Sequence, residues 1–323
     1  MTSAENIKNQ LNNWGKSKTP FGFIIDFEGV SPIIFSLKST SAGIFWQTPQ
    51  SAKIPEINIE KKSVQWNISP VSFDQYFVGY NLVMRHINNG DTYLLNYTQP
   101  TPVETNLLPE EIFCRSKALY KIYVEKNFIC FSPESFIRIQ NGRIYSYPMK
   151  GTIEAENENA AELLIKDTKE LAEHNTIVDL IRNDLSLVAD DVKVEKFRYL
   201  DLIKTNRKNL WQVSSEISGK LPENYAENIG DIIFRLLPAG SVTGAPKQKT
   251  VEIIKAAENY ERGYYTGIFG IFDGMNLDSC VLIRFIDLTS GKMIYKSGGG
   301  ITFMSDARNE YVEMTRKVYV PFT

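Results

Sequence analysis

FIRIQNGRIYSY, residues 136–147, places two short β-rich runs on either side of Asn141-Gly142. An Asn-Gly pair suits the type I′ turn, whose twist matches that of two antiparallel strands. The segment therefore predicts a β-hairpin. Residues 120–124 and 128–131, joined across residues 125–127, predict a second hairpin, so antiparallel sheet is expected here.

Further strands are predicted on both sides of these hairpins. Short β-rich runs occupy residues 21–25, 32–35 and 43–46, and later runs occupy residues 266–272, 280–286 and 293–296. The polar stretch from Gln47 to Ser63, which contains Pro49 and Pro55, predicts a linker or a long loop.

Helices are predicted between the strands. Residues 72–88 and 168–188 repeat apolar residues at three- and four-residue steps, the spacing of an amphipathic helix. A third helix opens at Pro246, whose missing N–H is not needed in a first turn, and the last begins near Ser305-Asp306. Hairpins interrupted by long helices, without strict βαβ alternation, predict the α+β fold class.

The composition is that of a globular protein of 323 residues, 43% of them hydrophobic. Lys+Arg 36 against Asp+Glu 38 gives a net charge of −2, so a nucleic-acid or anionic-membrane partner is not expected. Three scattered cysteines predict neither a disulfide framework nor a zinc site. The first residues lack an apolar signal segment and no later run is long enough to span a bilayer, so a soluble cytoplasmic protein is expected.

Carboxylates and lysines must carry most of any acid-base chemistry, because the chain has only two histidines. Glu170 and Glu173 lie three residues apart on one predicted helix, and Glu310 and Glu313 repeat that spacing on another. If the two helices converge, the four acids would suit Mg²⁺, which prefers oxygen ligands. Each pair could equally be a solvated helix face, with Lys317 as the ion-pair partner of Glu313.

Two glycine-containing segments could approach a ligand with their backbone. Residues 240–247 lack the Walker spacing, but the helix that follows could receive a carboxylate at its N-terminus, or the loop could simply cap that helix. Gly298, Gly299 and Gly300 lie between a predicted strand and the last helix, where their amides could contact a flat ligand or form a plain bend.

Lys150 follows a predicted strand and precedes a glycine. An enclosed lysine loses part of its preference for the charged form and can act as a nucleophile or base, whereas an exposed one is a surface charge. Glu134, sixteen residues earlier, could supply the complementary acid. Either residue alone could also be structural.

Together, six segments resemble the chorismate-binding family, which includes anthranilate synthase, isochorismate synthase and aminodeoxychorismate synthase component I. In chain order they are GDTY (90–93), SPE (132–134), DLIRNDL (179–185), GAPK (244–247), RG (262–263) and GGG (298–300). The resemblance covers roughly Phe73 to Val320. It implies two facing antiparallel sheets with helices outside, in one domain (1–323) that has a short strand-rich N-terminal part (1–71) and a chorismate-binding core (72–320).

The resemblance also implies roles for individual residues. Glu173 and Glu313 correspond to ligands of a Mg²⁺ ion that also holds a substrate carboxylate, with Glu170 and Glu310 as near neighbours. Lys317 is a further candidate for binding a carboxylate. The positions that match chorismate-binding residues are Gly151, Thr152, Tyr265, Arg284, Gly298, Gly299 and Gly300.

One position favours a particular reaction within the family. The anthranilate and isochorismate enzymes usually carry alanine where this chain has Lys150. A lysine there resembles the aminodeoxychorismate synthases, in which it attacks ring C2 as the C4 hydroxyl leaves and is then displaced by ammonia. Isochorismate synthases carry a lysine base where this chain has Leu94, so the addition of water is not expected.

Two further features follow from the resemblance. Many aminating relatives have a histidine near the leaving hydroxyl, whereas this chain has Gln212, which can hydrogen-bond to the oxygen but cannot protonate it. The candidate acids are then Glu134 and a metal-ordered water. The chain has no recognisable glutaminase segment, so a glutamine amidotransferase partner is expected to deliver ammonia. The alternatives are anthranilate synthase component I and a non-catalytic relative that binds without turnover.

Overall fold

The computed structural model describes residues 3–38, 42–59, 62–157, 159–203 and 209–322, and the side chains of residues 3, 150, 152, 169, 203 and 210 lie outside this description. The strands form two antiparallel sheets of nine strands each. Together with the helices, these sheets confirm the predicted α+β class.

The helices follow the chain in this order: α1 (Ser3–Lys16), α2 (Phe73–Asn88), α3 (Pro109–Arg115), α4 (Ala160–Lys166), α5 (Thr168–Ser186), α6 (Ile229–Arg235), α7 (Lys247–Ala257) and α8 (Ala307–Arg316). Short 3-10 turns occupy Tyr225–Asn228 and Gly240–Val242.

The strands are β1 (Phe21–Ile25), β2 (Ile33–Ser36), β3 (Ile44–Gln47), β4 (Ala52–Lys53), β5 (Trp66–Ile68), β6 (Leu94–Thr105), β7 (Tyr120–Val124), β8 (Phe128–Ser132), β9 (Ser135–Gln140), β10 (Arg143–Ser146), β11 (Met149–Glu154), β12 (Asp190–Ile203), β13 (Leu210–Lys220), β14 (Gly244–Ala245), β15 (Ile268–Phe272), β16 (Leu277–Val281), β17 (Phe285–Asp287) and β18 (Met293–Ile301).

The chain divides into two compact units. The first unit comprises Met1–Phe21, Ser135–Ser241 and Ile271–Ser279. The second unit comprises Gly22–Glu134, Val242–Gly270 and Cys280–Thr323. The single domain with parts 1–71 and 72–320 stays a prediction.

In the first unit the strand order is β11-β13-β10-β9-β16-β15, and β12 also pairs with β13. Asn141 (φ 51°) and Gly142 (φ 73°) both adopt the left-handed conformation between β9 and β10, so the predicted hairpin and its turn chemistry are confirmed. α4 and α5 pack on β11 and β13, the strands that carry residues 149–154 and 210–220.

In the second unit the strand order is β14-β6-β18-β17-β8-β7-β3-β4. β5 also pairs with β6, and β1 lies beside β2. α2, α7 and α8 cover β6 and β18 through a core that includes Tyr76, Tyr97 and Met314. β6 and β18 pair over nine residues, from Val103 opposite Met293 to Leu95 opposite Ile301.

Three predictions of local structure need correction. The run 280–286 is not one strand, because Arg284 adopts φ 55° and separates β16 from β17. β18 continues to Ile301, so the three glycines lie inside a strand and do not form a bend. The predicted loop from Gln47 to Ser63 contains the short strand β4.

The segment at residues 244–247 connects β6 to α7. Gly244 and Ala245 pair with Leu95 and Leu94, and the Pro246 carbonyl accepts both the N–H (3.0 Å) and the hydroxyl (2.7 Å) of Thr250. The segment therefore helps to begin its own helix, which is one of the two predicted alternatives. None of the helices in the described ranges has the length and apolar character that crossing a bilayer requires.

Candidate active site

Two carboxylates of α8 approach the glycine strand in the second unit. Oxygens of Glu310 and Glu313 lie 3.4 and 3.3 Å from the point where a Cβ atom on residue 299 would stand. Glycine at 299 leaves that space open. The predicted pairing of Glu310 with Glu313 on one side of a helix therefore corresponds to two negative groups above a single point of β18.

Neighbouring groups partly neutralise and orient these carboxylates. Glu310 is buried and accepts a hydrogen bond from the Ser305 hydroxyl at 2.7 Å. The Lys317 ammonium lies 2.6 Å from Glu313 Oε1 and also donates to the Gly298 carbonyl at 2.9 Å. The predicted alternative, an ion pair between Lys317 and Glu313, is therefore present.

Arg284 reaches the end of α8 from the segment before β17. Its Nη1 donates to the Lys317 carbonyl at 3.1 Å, and its guanidinium lies 4.6 Å from the centre of the Tyr319 ring. The left-handed backbone at Arg284 re-aims the chain between β16 and β17. Arg284 is thus held against the backbone of Lys317 and the ring of Tyr319.

Tyr265 and Glu134 also belong to the second unit. Tyr265 is buried against Phe285 (5.8 Å between ring centres), and burial raises the pKa of its phenol well above the ordinary range, so the hydroxyl remains a donor. The Glu134 amide donates to the Ser132 hydroxyl (3.1 Å), and the Glu134 carbonyl accepts the Val281 N–H (3.1 Å). These hydrogen bonds fix the backbone position of Glu134, whose side chain is half-buried.

In the first unit, Gly151 lies next to a carboxylate of α5. A Cβ atom on Gly151 would stand 3.0 Å from Glu170 Oε2 and 3.0 Å from Leu164 Cδ1, and Gly151 has φ 70°. The positive φ favours glycine, and any Cβ atom here would contact both side chains tightly. Asp167 caps α5 by accepting the Glu170 N–H at 2.9 Å, which fixes the start of the helix.

Beyond Glu170, α5 carries two buried polar residues. Glu173 is 8% exposed and His174 1% exposed, and His174 Nε2 lies 2.6 Å from the Ser215 hydroxyl on β13. His174 was not predicted as a site residue. Its signal in the sequence is its place directly after a candidate metal ligand.

The predicted nucleophile lies on β11, opposite β13. The backbone of Lys150 pairs with Val213, and that of Thr152 pairs with Gln212, with a register shift between them. The Gln212 amide Nε2 contacts Met149 Sδ at 3.1 Å. The side chains of Lys150 and Thr152, on which two predictions fall, lie outside the described residues.

The oxygen ligands of the second unit fit a hard cation. Glu310 and Glu313 aim oxygens at one point above Gly299, and Mg²⁺ typically takes one or two carboxylates and keeps several waters. Within the described parts of the chain, no three acidic, histidine or cysteine side chains gather as a metal cluster. Glu173 stays a predicted ligand of the metal, and Glu170 stays its predicted near neighbour.

One buried pair was missed at the sequence level. Glu258 ends α7, and its carboxylate forms two hydrogen bonds with Arg262, of 2.7 and 2.8 Å. Opposite charges four residues apart usually indicate a surface ion pair, so the sequence spacing did not reveal that both side chains are buried. Arg262 belongs to the RG segment of the family resemblance.

A family profile described as chorismate binding enzyme matches residues 37–322. The chain belongs to the chorismate-binding enzyme family. This match confirms the recognition made from six short segments and extends it towards the N-terminus, beyond the predicted start at Phe73. Membership places the chain among enzymes that use chorismate.

Two relatives are similar to this chain in sequence. An uncharacterised PabA-like protein of Haemophilus influenzae is 48% identical over 313 residues, which cover 97% of this chain and 95% of that protein. Aminodeoxychorismate synthase component 1 of Bacillus subtilis is 31% identical over 267 residues, 78% of this chain and 55% of that enzyme. The chain thus spans about half of this longer relative.

Solved structures confirm the family fold. Anthranilate synthase component I from Streptococcus pneumoniae superposes with a TM-score of 0.67 at 28% identity, over 78% of this chain and 58% of that one. MenF, the menaquinone-specific isochorismate synthase of Escherichia coli, superposes with a TM-score of 0.74 at 16% identity, over 98% and 81% of the two chains. The second likeness supports the fold alone.

Proposed function

We propose that this family member is an aminodeoxychorismate synthase component I, which converts chorismate and ammonia to 4-amino-4-deoxychorismate. The observation that carries the proposal is Lys150, at a position where the anthranilate and isochorismate enzymes resembled by the sequence usually carry alanine. The Bacillus subtilis relative that carries this activity in its name belongs to the same family.

The surroundings of position 150 are consistent with a reactive residue. Its backbone is part of the β11–β13 ladder and directly precedes Gly151, which packs against Glu170. A residue on a paired strand has a defined starting position for its side chain. A lysine that is partly removed from water loses part of its preference for the charged form and can supply a neutral amine.

In the proposed first step, the neutral Lys150 amine forms a bond to ring C2, the two conjugated ring double bonds each shift by one position, and the C–O bond at C4 breaks. The departing oxygen takes a proton and leaves as water. Ammonia then forms a bond at C4, the double bond shifts back, and the bond from C2 to the lysine nitrogen breaks. The product gains one C–N bond at C4, and the free amine is restored.

Other residues would bind and orient the substrate. Arg284 and Lys317 are cations of the kind that hold carboxylates, and the protonated Tyr265 can donate a hydrogen bond. Glu134 is the proposed proton donor to the departing oxygen, and Gln212 a hydrogen-bond partner for it. The amides of Gly298, Gly299 and Gly300 are proposed backbone contacts.

Glu310 and Glu313 would provide carboxylate ligands for Mg²⁺, which when bound supplies positive charge to a substrate carboxylate. Glu170 and Glu173 are proposed to take part in holding the ion. A glutamine amidotransferase subunit is the proposed source of ammonia.

The decisive experiment is a product assay on the purified protein with chorismate, Mg²⁺ and an ammonium salt. We expect a product that becomes para-aminobenzoate only when a lyase acting on aminodeoxychorismate is added. Fluorescent anthranilate formed without a lyase would instead assign anthranilate synthase activity. Chorismate left intact, even with an amidotransferase partner and glutamine present, would favour a non-catalytic binding protein.

Lys150→Ala tests the covalent step. We expect at least a thousandfold lower rate of aminodeoxychorismate formation, because the nucleophile is removed. In the unmodified protein, withholding ammonia should leave chorismate minus water attached to the chain, visible by intact mass. Lys166→Ala is the matched control, since Lys166 is an exposed lysine of α4 that pairs with Glu162 on the same helix. An unchanged rate in Lys150→Ala would remove the proposed nucleophile.

A further inference from the structure

A fully buried ion pair lies in the second unit, away from the carboxylates of α8. The side chains of Arg262 and Glu258 are 2% and 1% exposed. Arg262 Nε donates to Glu258 Oε2 at 2.8 Å and Nη2 donates to Oε1 at 2.7 Å, which gives the parallel two-bond geometry specific to arginine.

The guanidinium uses all its remaining donors on other segments. Nη1 donates to the Val242 carbonyl (3.0 Å) and the Thr266 hydroxyl (3.2 Å), while Nη2 also donates to the Asn96 carbonyl (2.5 Å). All five N–H groups of the side chain therefore have acceptors. A single side chain connects β6, the segment before β14 and the segment before β15.

The carboxylate of Glu258 binds the same strand two residues further along. Its Oε1 accepts the Thr98 N–H at 2.8 Å and the Thr98 hydroxyl at 2.7 Å. That hydroxyl also lies 2.5 Å from the Tyr260 hydroxyl. Residues 96–98 of β6 are thus held by the pair through one carbonyl, one amide and one side chain.

Residues 96–98 are the direct partners of the three glycines. Asn96, Tyr97 and Thr98 pair with Gly300, Gly299 and Gly298. The approach is close, because a Cβ atom on Gly298 would stand only 2.1 Å from the Tyr97 carbonyl oxygen. Displacing β6 would therefore displace the strand beneath the carboxylates of α8.

The pair also fixes the segment that presents Tyr265. The Tyr265 N–H donates to the Arg262 carbonyl at 3.1 Å, and the Thr266 hydroxyl bound by Arg262 donates to the Tyr265 carbonyl at 2.6 Å. The Lys296 ammonium, from β18, donates to the Arg262 carbonyl at 2.9 Å. The Tyr265 backbone is therefore held through its N–H by the Arg262 carbonyl and through its carbonyl by the Thr266 hydroxyl that Arg262 contacts.

Stability alone is a poor explanation for such a pair, because removing two charges from water costs about as much as their attraction returns. Geometric definition is the alternative use of buried, fully satisfied polar networks. We infer that Glu258 and Arg262 are positioning residues, which set the placement of Gly298–Gly300 and Tyr265 for chorismate. The inference rests on the proposed use of chorismate, but not on which product is formed.

Arg262→Lys is the first test, because lysine keeps the charge but loses the planar fork. We expect a folded protein whose kcat/KM for chorismate consumption is about ten- to a hundredfold lower, since small misplacements of binding groups are costly. Thr98→Val is the second test; it keeps the volume and the backbone bond while removing the hydroxyl that Glu258 accepts. A three- to tenfold loss is expected there, with Thr98→Ser restoring the rate.

Glu111→Gln is the matched control. It breaks the ion pair with Lys62 (2.9 Å) elsewhere in the second unit, and we expect a lower melting temperature with unchanged kinetics. All rates are measured as the consumption of chorismate, so they do not depend on which product forms. The assay temperature lies well below the melting temperature of every variant. Chorismate affinity is measured in parallel by calorimetry with ammonia withheld.

A purely structural pair would give a different pattern. If Thr98→Val and any folded Arg262→Lys protein match the Glu111→Gln control in kcat/KM and chorismate affinity, the positioning role is wrong. Should Arg262→Lys fail to fold, Thr98→Val decides. A wild-type protein that makes anthranilate refutes the proposed function without touching this test, whereas one that does not bind chorismate overturns both.

Discussion

Lys317 has one observed contact and one proposed role, and they predict opposite effects of its removal on ligand binding. Its ammonium lies 2.6 Å from Glu313, a proposed metal ligand, and the same residue is proposed to bind a substrate carboxylate. The free protein would therefore hold a built-in cation where Mg²⁺ is expected to bind. Lys317 and the metal should compete for Glu313.

We expect Lys317→Met to bind Mg²⁺ more tightly, by about three- to tenfold. The variant removes a positive charge that repels the ion and competes with it for Glu313. The same variant should bind chorismate more weakly. Calorimetric titration with Mg²⁺ alone measures the first effect. Lys249→Met, which breaks an exposed pair with Glu252, is the control, and Mg²⁺ binding that is unchanged or weaker in Lys317→Met would argue against competition.

Gly298 and Gly299 are neighbours with different constraints. A Cβ atom at 298 would collide with the Tyr97 carbonyl oxygen at 2.1 Å, whereas one at 299 would stand 3.3 Å or more from carboxylate oxygens. Backbone cannot yield as a side chain can. The first glycine is therefore required for packing and the second for the space above the strand.

Gly298→Ala should lower the free energy of unfolding by about 3 kcal/mol or more, because β6 and β18 must separate. Gly299→Ala should cost less than about 1.5 kcal/mol but weaken Mg²⁺ binding, because it displaces Glu310 and Glu313. Urea unfolding and Mg²⁺ titration measure the two effects. Equal stability losses in both variants would contradict this division.

At the residue scale, the acidic pairs and the ion pair of Glu313 with Lys317 could be predicted from the sequence, because helical spacing determines which residues are neighbours. It could not give the burial of Glu258 and Arg262. That burial depends on β6, Val242 and Thr266, which are distant in the chain.

At the scale of elements, β17 and β18 are joined by a second buried pair. Lys296 donates to Asp287 Oδ2 at 2.7 Å. Burial raises the pKa of the Asp287 carboxyl, but hydrogen bonds from Lys296 and Thr289 outweigh it and hold the pKa below its usual range. The stabilisation is therefore present above the unfolded-state pKa, about 4, and is lost as the pH falls further.

Asp287→Asn should lower the free energy of unfolding at pH 7 by about 3 kcal/mol, because Lys296 stays buried without its counter-charge. The variant should also lose less stability than the wild type between about pH 5 and pH 3. Urea unfolding at several pH values measures both, with exposed Glu223→Gln as the control. Parallel pH profiles for wild type and Asp287→Asn would show that the pair does not carry this dependence.

Elements with a regular apolar period were predictable, and elements with mixed patterns were not. α2, α5 and the hairpins at 120–131 and 136–147 follow helical spacing or turn chemistry that acts locally. β6 carries Pro100 and Pro102 inside its sequence, which argues against a strand, yet both residues pair with β18. Its long partner overrides the local preference.

At the scale of the whole molecule, the family could be predicted because six short segments recur in order. The proposed reaction rests on one position, Lys150, and on a proposed partner that supplies nitrogen. With glutamine as the only nitrogen source, we expect the purified chain to form no aminodeoxychorismate, because the sequence offers no recognisable glutaminase segment.

An ammonium salt should replace glutamine, and an added amidotransferase should restore the use of glutamine. Product analysis by chromatography with and without the partner measures this dependence. Amination from glutamine by the chain alone would overturn the expected division of labour.

The contact between Lys317 and Glu313 also bears on how the polypeptide matures. Because the Lys317 ammonium already supplies a positive charge to Glu313, this acidic site does not need an ion to fold around. Chelation should therefore stop turnover while leaving the melting curve in place, and newly made chains could reach their final shape before encountering magnesium.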